Sequence, residues 1–329
     1  MSNKNAPLRY KFLLLLMSMI WGSTFVAQQI GMEKGLGPMT FNGLRFTLGC
    51  LSLVPVLAWR RCRSRAAGEG APLPVPGSLA AGLFLFAAAG FQQVGLQYTS
   101  SANAAFITGF YILFVPLFGV FFGHKARWSL WAGIAVSLAG LYLLSGPGGG
   151  YAMSKGDGLV LICAFLWACQ ILVIDHVAGK GDPIAIACLQ FAVCSALSLA
   201  AALRFEHCTL DQLKAGAGAV AYAGIMSVGI AFTLQVVCQK RCPPGPAAVI
   251  MSLEAVFAAL TGYLVLGQTL SPPALLGCAL ILCGTLLVQL APILWEGDRR
   301  RTSGGEHADL PAEATMIKHH VIPDPPEPP

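Results

Sequence analysis

Charge is scarce in this chain. Acidic and basic side chains are 11% of its 329 residues against 56% hydrophobic ones, and mean hydropathy is +0.68. That composition excludes a soluble globular protein, whose charged fraction runs near a quarter. No Gly-Lys-Ser/Thr follows the glycine-rich stretch SGPGGG at 145–150, so a phosphate-binding loop is excluded, and proton or solute gradients replace ATP as the expected energy source. No metalloprotease helix and no nucleophile motif occurs, which leaves a membrane-embedded enzyme on lipid-linked substrates as a remote reading. Cys238 and Cys242 share a helical spacing but have no histidine or carboxylate cluster beside them, so neither a metal site nor any other cofactor is expected. The cations are scattered over many short loops, which excludes a nucleic-acid partner.

What the chain has instead is apolar length. Segments of about 20 residues, enough to cross about 30 Å of hydrocarbon, recur at 11–30, 38–58, 77–97, 102–122, 128–145, 157–176, 183–203, 214–238, 244–266 and 272–294. The fold expected is an all-α integral membrane protein with ten transmembrane helices. A cleaved signal peptide is the rival reading of the first segment; the spans behind it favour a retained helix.

Lys and Arg set the orientation. With the N-terminus inside, sixteen of the 21 fall in inner segments, including Arg60, Arg61, Arg63, Arg65 and Arg299 to Arg301; four, Lys34, Lys155, Arg204 and Lys214, fall in outer loops, and Arg45 stands within a span. Both termini are thus expected in the cytoplasm, and the membrane is the inner, cytoplasmic one. Of the eleven cysteines, Cys208 alone lies clearly in an outer loop, whereas Cys62 and Cys242 lie inside. The others read as small buried hydrophobes.

The halves resemble one another. Trp21 aligns with Trp167, Pro38-x6-Arg45-Phe46 with Pro183-x6-Gln190-Phe191, NAAFITGFYILFVPL (103–117) with PAAVIMSLEAVFAAL (246–260), and Gly133-x6-Gly140 with Gly277-x6-Gly284. Each half holds five helices. Because five is odd, the second copy enters the membrane from the opposite side, an inverted repeat of the kind that underlies alternating access. The expected organisation is an N-terminal segment 1–10, a first repeat 11–145, a linker 146–156, a second repeat 157–294 and a disordered cytoplasmic tail 295–329.

WGSTF (21–25), the Pro38 to Arg45-Phe46 spacing, QYTSSANAAFI (97–107) and LEAVFAALTGYLVLGQTL (253–270) resemble the drug/metabolite transporter superfamily, specifically its two-domain EamA-like permeases. The resemblance covers about residues 11–292 and implies a ten-helix carrier of small organic molecules, usually moved outward. At Gln268 the chain departs from the family, which often has Glu there.

Polar groups within the spans mark the candidate site, since in lipid they must face protein or water. Trp21, Thr24 and Gln28 fall on one face of the first helix, with Leu13, Leu16 and Ile20 supplying lipid-compatible surface. Trp167 and Gln170 are their repeat mates, and Gln93 and Gln235 add amides in the third and eighth spans. Together with Tyr111 these are the candidate substrate-binding residues; the alternative for each Gln is a hydrogen bond between helices, worth about 0.6 to 2 kcal/mol. Arg45 and Glu254 are charges inside spans, each costing about 2.5 to 3.5 kcal/mol at the bilayer centre unless paired or hydrated. Glu254 is aligned with Tyr111 and is the candidate coupling group, holding a proton when the cavity is empty and giving it up when a cationic substrate arrives. Arg45, grouped with Glu254 as a candidate coupling residue, divides between a structural role and contact with the substrate. Small residues at Gly133, Ser137, Gly140, Gly277 and Gly284 suit close packing within the chain, with a homodimer interface as the alternative to a monomer. The function expected is a permease that exports a small polar organic metabolite such as an amino acid; the alternative is a drug-efflux permease for bulky organic cations.

Overall fold

The computed structural model describes residues 7–66, 72–99, 101–121, 123, 127–144, 154–267, 269 and 271–305. The SGPGGG stretch, Gln268 and the segment from 306 onward lie outside the described residues. Every regular element among the described residues is helical. The first half comprises α1 (Leu8–Glu33), α2 (Pro38–Ala66), α3 (Val75–Gly95), the pair α4 (Ser101–Thr108) and α5 (Tyr111–Phe121), and α6 (Trp128–Leu144). The second comprises α7 (Lys155–Ala178), α8 (Pro183–Phe205), α9 (Leu210–Tyr222) continued through a π-helical segment (Ala223–Phe232) into α10 (Thr233–Gln239), the pair α11 (Pro244–Met251) and α12 (Glu254–Leu266), and α13 (Pro272–Gly305). Nine of these spans are at least 18 residues long and apolar enough to cross a membrane, and Trp128–Leu143 is a shorter tenth.

Side-chain caps start four of the helices. Ser154 and Asp157 form a reciprocal capping box at α7, and Thr209 and Gln212 do so at α9. Asp182 caps α8 by accepting from the Ile184 amide at 2.9 Å. The start of α2 is capped from the other half of the chain: Glu206 accepts from the Met39 and Thr40 amides, both at 2.8 Å, and from the Thr40 hydroxyl at 2.7 Å. Gly37 makes room for that carboxylate, which any Cβ there would strike.

Helices of the two halves pack directly on one another. Along α2 and α8, Gly43 meets Leu199, Thr47 meets Ser195, and Arg60 meets Asp182. Numbers rise on one helix as they fall on the other, so the two run antiparallel. Along α6 and α13, Gly133 lies against Gly284 and Gly140 against Gly277, again antiparallel; a Cβ on Gly140 would stand 2.6 Å from the Gly277 carbonyl oxygen. The small residues read from the sequence therefore serve packing within the chain. On α1, Trp21, Thr24 and Gln28 are buried while Phe12, Leu16 and Met19 are exposed. Leu13 is half-buried, and Ile20 departs from its expected lipid-facing role: it packs into the core at 6% exposure.

Candidate functional site

Two spans that the sequence suggests are continuous helices are broken, and at equivalent places. The fourth span breaks at Gly109–Phe110 and restarts at Tyr111; the ninth breaks at Ser252–Leu253 and restarts at Glu254. A break in a membrane helix releases carbonyls that must find donors. Here Ser18 of α1 donates to the Ile250 carbonyl at 3.0 Å, while Ser252 and Thr285 donate to that of Val249 at 2.8 and 3.3 Å. Glu254 thereby becomes the first residue of a helix, where the positive end of the helix dipole favours a carboxylate. Gly22 lets α1 approach this turn, since a Cβ there would lie 2.6 Å from the Glu254 carbonyl oxygen.

These breaks border a cavity on the seam between the two halves. From α1 come Trp21, Thr24, Phe25 and Gln28; from α2, Arg45; from α3 to α5, Gln92, Thr108 and Tyr111; from α7, Trp167 and Ile171; from the π-helical segment and α10, Ser227, Phe232 and Gln235; from α12, Glu254. Its aromatic floor is built on repeat mates. Trp21 and Trp167 have ring centroids 6.3 Å apart, and Phe232 packs on both at 4.7 and 5.4 Å. Phe46 and Phe191 form a second such pair at 6.1 Å, each touching Phe232 at 5.9 and 6.2 Å.

The wall is rich in unspent hydrogen-bonding capacity. Among the described residues, Trp21 Nε1, Trp167 Nε1, Gln28 Oε1, Gln235 Oε1, Tyr111 Oη, Arg45 Nε and Glu254 Oε1 are buried and have no hydrogen-bond partner. Buried polar groups are ordinarily satisfied, so this wall is suited to a polar solute or to water. The Tyr111 hydroxyl and the Glu254 carboxyl are neighbours without closing a well-formed hydrogen bond. Arg45 is 2% exposed, and its guanidinium lies over the rings of Phe46 and Phe41 at 5.0 and 5.7 Å.

Two of the ten site residues read from the sequence stand off the wall. Gln93 is fully buried elsewhere, with neither its amide nitrogen nor its oxygen bonded among the described residues; its neighbour Gln92 faces the cavity and donates to Thr108 at 3.2 Å. Gln170 lies behind the wall, accepting from Gln235 at 3.0 Å and donating to Gln190 at 3.1 Å, and so ties a wall residue to the repeat mate of Arg45. Trp21, Thr24, Gln28, Tyr111, Trp167, Gln235, Arg45 and Glu254 are brought together. Sequence reading missed Phe25, Gln92, Thr108, Ile171, Ser227 and Phe232. For Phe232 a signal existed, one turn before Gln235; for Gln92 against Gln93, adjacent identical residues offer none.

The sequence model of the EamA-like transporter family matches residues 8–146 and again 154–290. A transporter of Archaeoglobus fulgidus, described as uncharacterized, is 30% identical over 288 residues, covering 84% of each chain. The inner membrane transporter YedA of Escherichia coli K12, likewise described, is 27% identical over 280 residues, 84% of this chain and 89% of its own. A crystal structure sharing 22% identity superposes with a TM-score of 0.73 over 88% of this chain and all of its own, a likeness of fold.

Proposed function

We propose that this chain, a multi-pass membrane protein that belongs to the EamA-like transporter family, is a secondary carrier that exports a small polar organic metabolite, such as an amino acid, by alternating access. One observation carries the reading: Trp21 and Trp167, equivalent in the two halves, meet across a single cavity that also holds Arg45 and Glu254. A site on the seam between two similar bundles opens to either side as the bundles exchange conformations. Support for inverted repeats comes from the repeat mates α2 and α8, and α6 and α13, which pack antiparallel, from the matched breaks before Tyr111 and Glu254, and from the two family matches. In this reading the repeats are 11–145 and 157–294, the membrane is the cytoplasmic one, both termini lie inside, and Glu254 exchanges a proton against the solute. Comparing metabolites inside and outside cells that overproduce or lack the protein tests it: one polar metabolite shifts outward on overproduction and inward on deletion, and unchanged pools in both would overturn it. The stacked rings beside Glu254 favour a second reading, efflux of bulky organic cations; overproduction would then protect cells against such cations.

A further inference from the structure

Away from the cavity, two thiols touch across the seam. Cys50 of α2 and Cys188 of α8 are free and half-buried, with sulfurs 3.4 Å apart; the Cys50 sulfur also lies 3.5 Å from the Cys188 carbonyl oxygen. The pair sits mid-interface. On one side the Thr47 and Ser195 hydroxyls share a hydrogen bond at 2.6 Å, and Ser195 donates to the Gly43 carbonyl at 3.3 Å; on the other, Arg60 and Asp182 pair at 3.2 Å. These contacts hold the two helices in register with the sulfurs facing one another across the seam. Family matching assigns α2 to the first repeat and α8 to the second.

We infer that Cys50 and Cys188 are a redox modification site: a hydroperoxide converts them to a disulfide that ties the two halves together and arrests the carrier. Cys50 lies about 18 Å along α2 from its start, at 1.5 Å per residue, a depth reached by oxidants that partition into hydrocarbon. One sulfur, giving up its proton, attacks the peroxide oxygen; an S–O bond forms, the O–O bond breaks, and the released alkoxide takes the proton to leave as an alcohol. The second sulfur then attacks the sulfenic sulfur, forming the S–S bond and expelling water. Two thiols and one hydroperoxide thus give a disulfide, an alcohol and water, with two electrons passing from sulfur to oxygen. Closing the sulfurs to about 2.0 Å holds the two Cα atoms within about 4.4 to 6.8 Å, and a seam so tied cannot rock. The linkage stands on its own geometry, whereas its effect on flux rests on the alternating-access reading.

The test treats the full chain in lipid nanodiscs with cumene hydroperoxide. Peptide mass mapping should find Cys50 joined to Cys188, and hydrogen exchange along α2 and α8 should slow about tenfold, both reversed by dithiothreitol. In proteoliposomes, counterflow of a radiolabelled amino-acid mixture should fall about tenfold and recover with the reductant. Cys50→Ser and Cys188→Ser, with Cys50→Ala should serine misfold, should lack the link and keep their flux under peroxide. Oxidation elsewhere without this link, or a linked carrier with unaltered exchange and flux, would overturn the inference. Absence of counterflow before oxidation, with the link and slowed exchange intact, would count against the transport reading and leave the modification site standing.

Discussion

Trp21 shows what one side chain does here. Its ring packs on Phe232 at 4.7 Å and faces Trp167, while its indole N–H has no partner among the described residues. Apolar platform and free donor together suit a solute better than a packing role. Trp21→Ala and Trp167→Ala should each weaken solute binding roughly tenfold, about 1.4 kcal/mol, while the amount of protein in the membrane stays normal; wild-type flux in both variants would reduce these rings to packing. Glu254 carries the other residue-scale expectation. Glu254→Gln keeps the shape and removes the charge, so the variant should fold and retain downhill movement in proteoliposomes. Accumulation driven by a pH gradient should disappear, and full accumulation would remove Glu254 from the coupling role.

At the scale of elements, backbone interruptions are the informative feature. Helices α5 and α12 begin at the cavity because their spans break there, and at the α12 break the hydroxyls of Ser18, Ser252 and Thr285 donate to the Ile250 and Val249 carbonyls. The π-helical segment Ala223–Phe232 is a third irregularity, bringing Ser227 and Phe232 to the same wall; such segments often accompany functional sites. Between α6 and α13 the requirement is close approach. Gly140→Leu pushes a side chain into the Gly277 backbone and should cost about 1 to 3 kcal/mol, seen as a lower unfolding temperature in detergent. An unchanged midpoint would mean that the two helices separate freely.

For the whole molecule, we propose the orientation that the charge asymmetry favours, with both termini inside. Cys208, in the loop between α8 and α9, should react with an impermeant maleimide on intact cells, and Cys62, exposed near the end of α2, only after permeabilisation. The reverse pattern would invert the assignment. Cys242, in the same inner set, is 4% exposed and should label slowly from either side. Burial, with the nearby Glu206 carboxylate, pushes the Cys208 thiol above its ordinary range, so less thiolate is present at neutral pH. Its labelling should therefore lag that of an unperturbed thiol at pH 7 and accelerate as pH rises toward 9; a rate independent of pH would contradict that environment.

Composition and periodicity were enough for the helices and for the paired halves, because hydrocarbon accepts only apolar, internally bonded segments and because repeats align by residue type. The polar face of α1 was legible for the same reason: Trp21, Thr24 and Gln28 had to point away from lipid. What spacing could not decide was anything that depends on small rotations or on partners distant in the chain. Whether Gln92 or Gln93 faces the cavity turns on the rotation of α3, about 100° per residue. The break before Glu254 rests on donors from α1 and α13, and the meeting of Cys50 with Cys188 rests on the register of α2 against α8. Only packing settles these, because each is a contact between segments whose own sequences carry no record of the other.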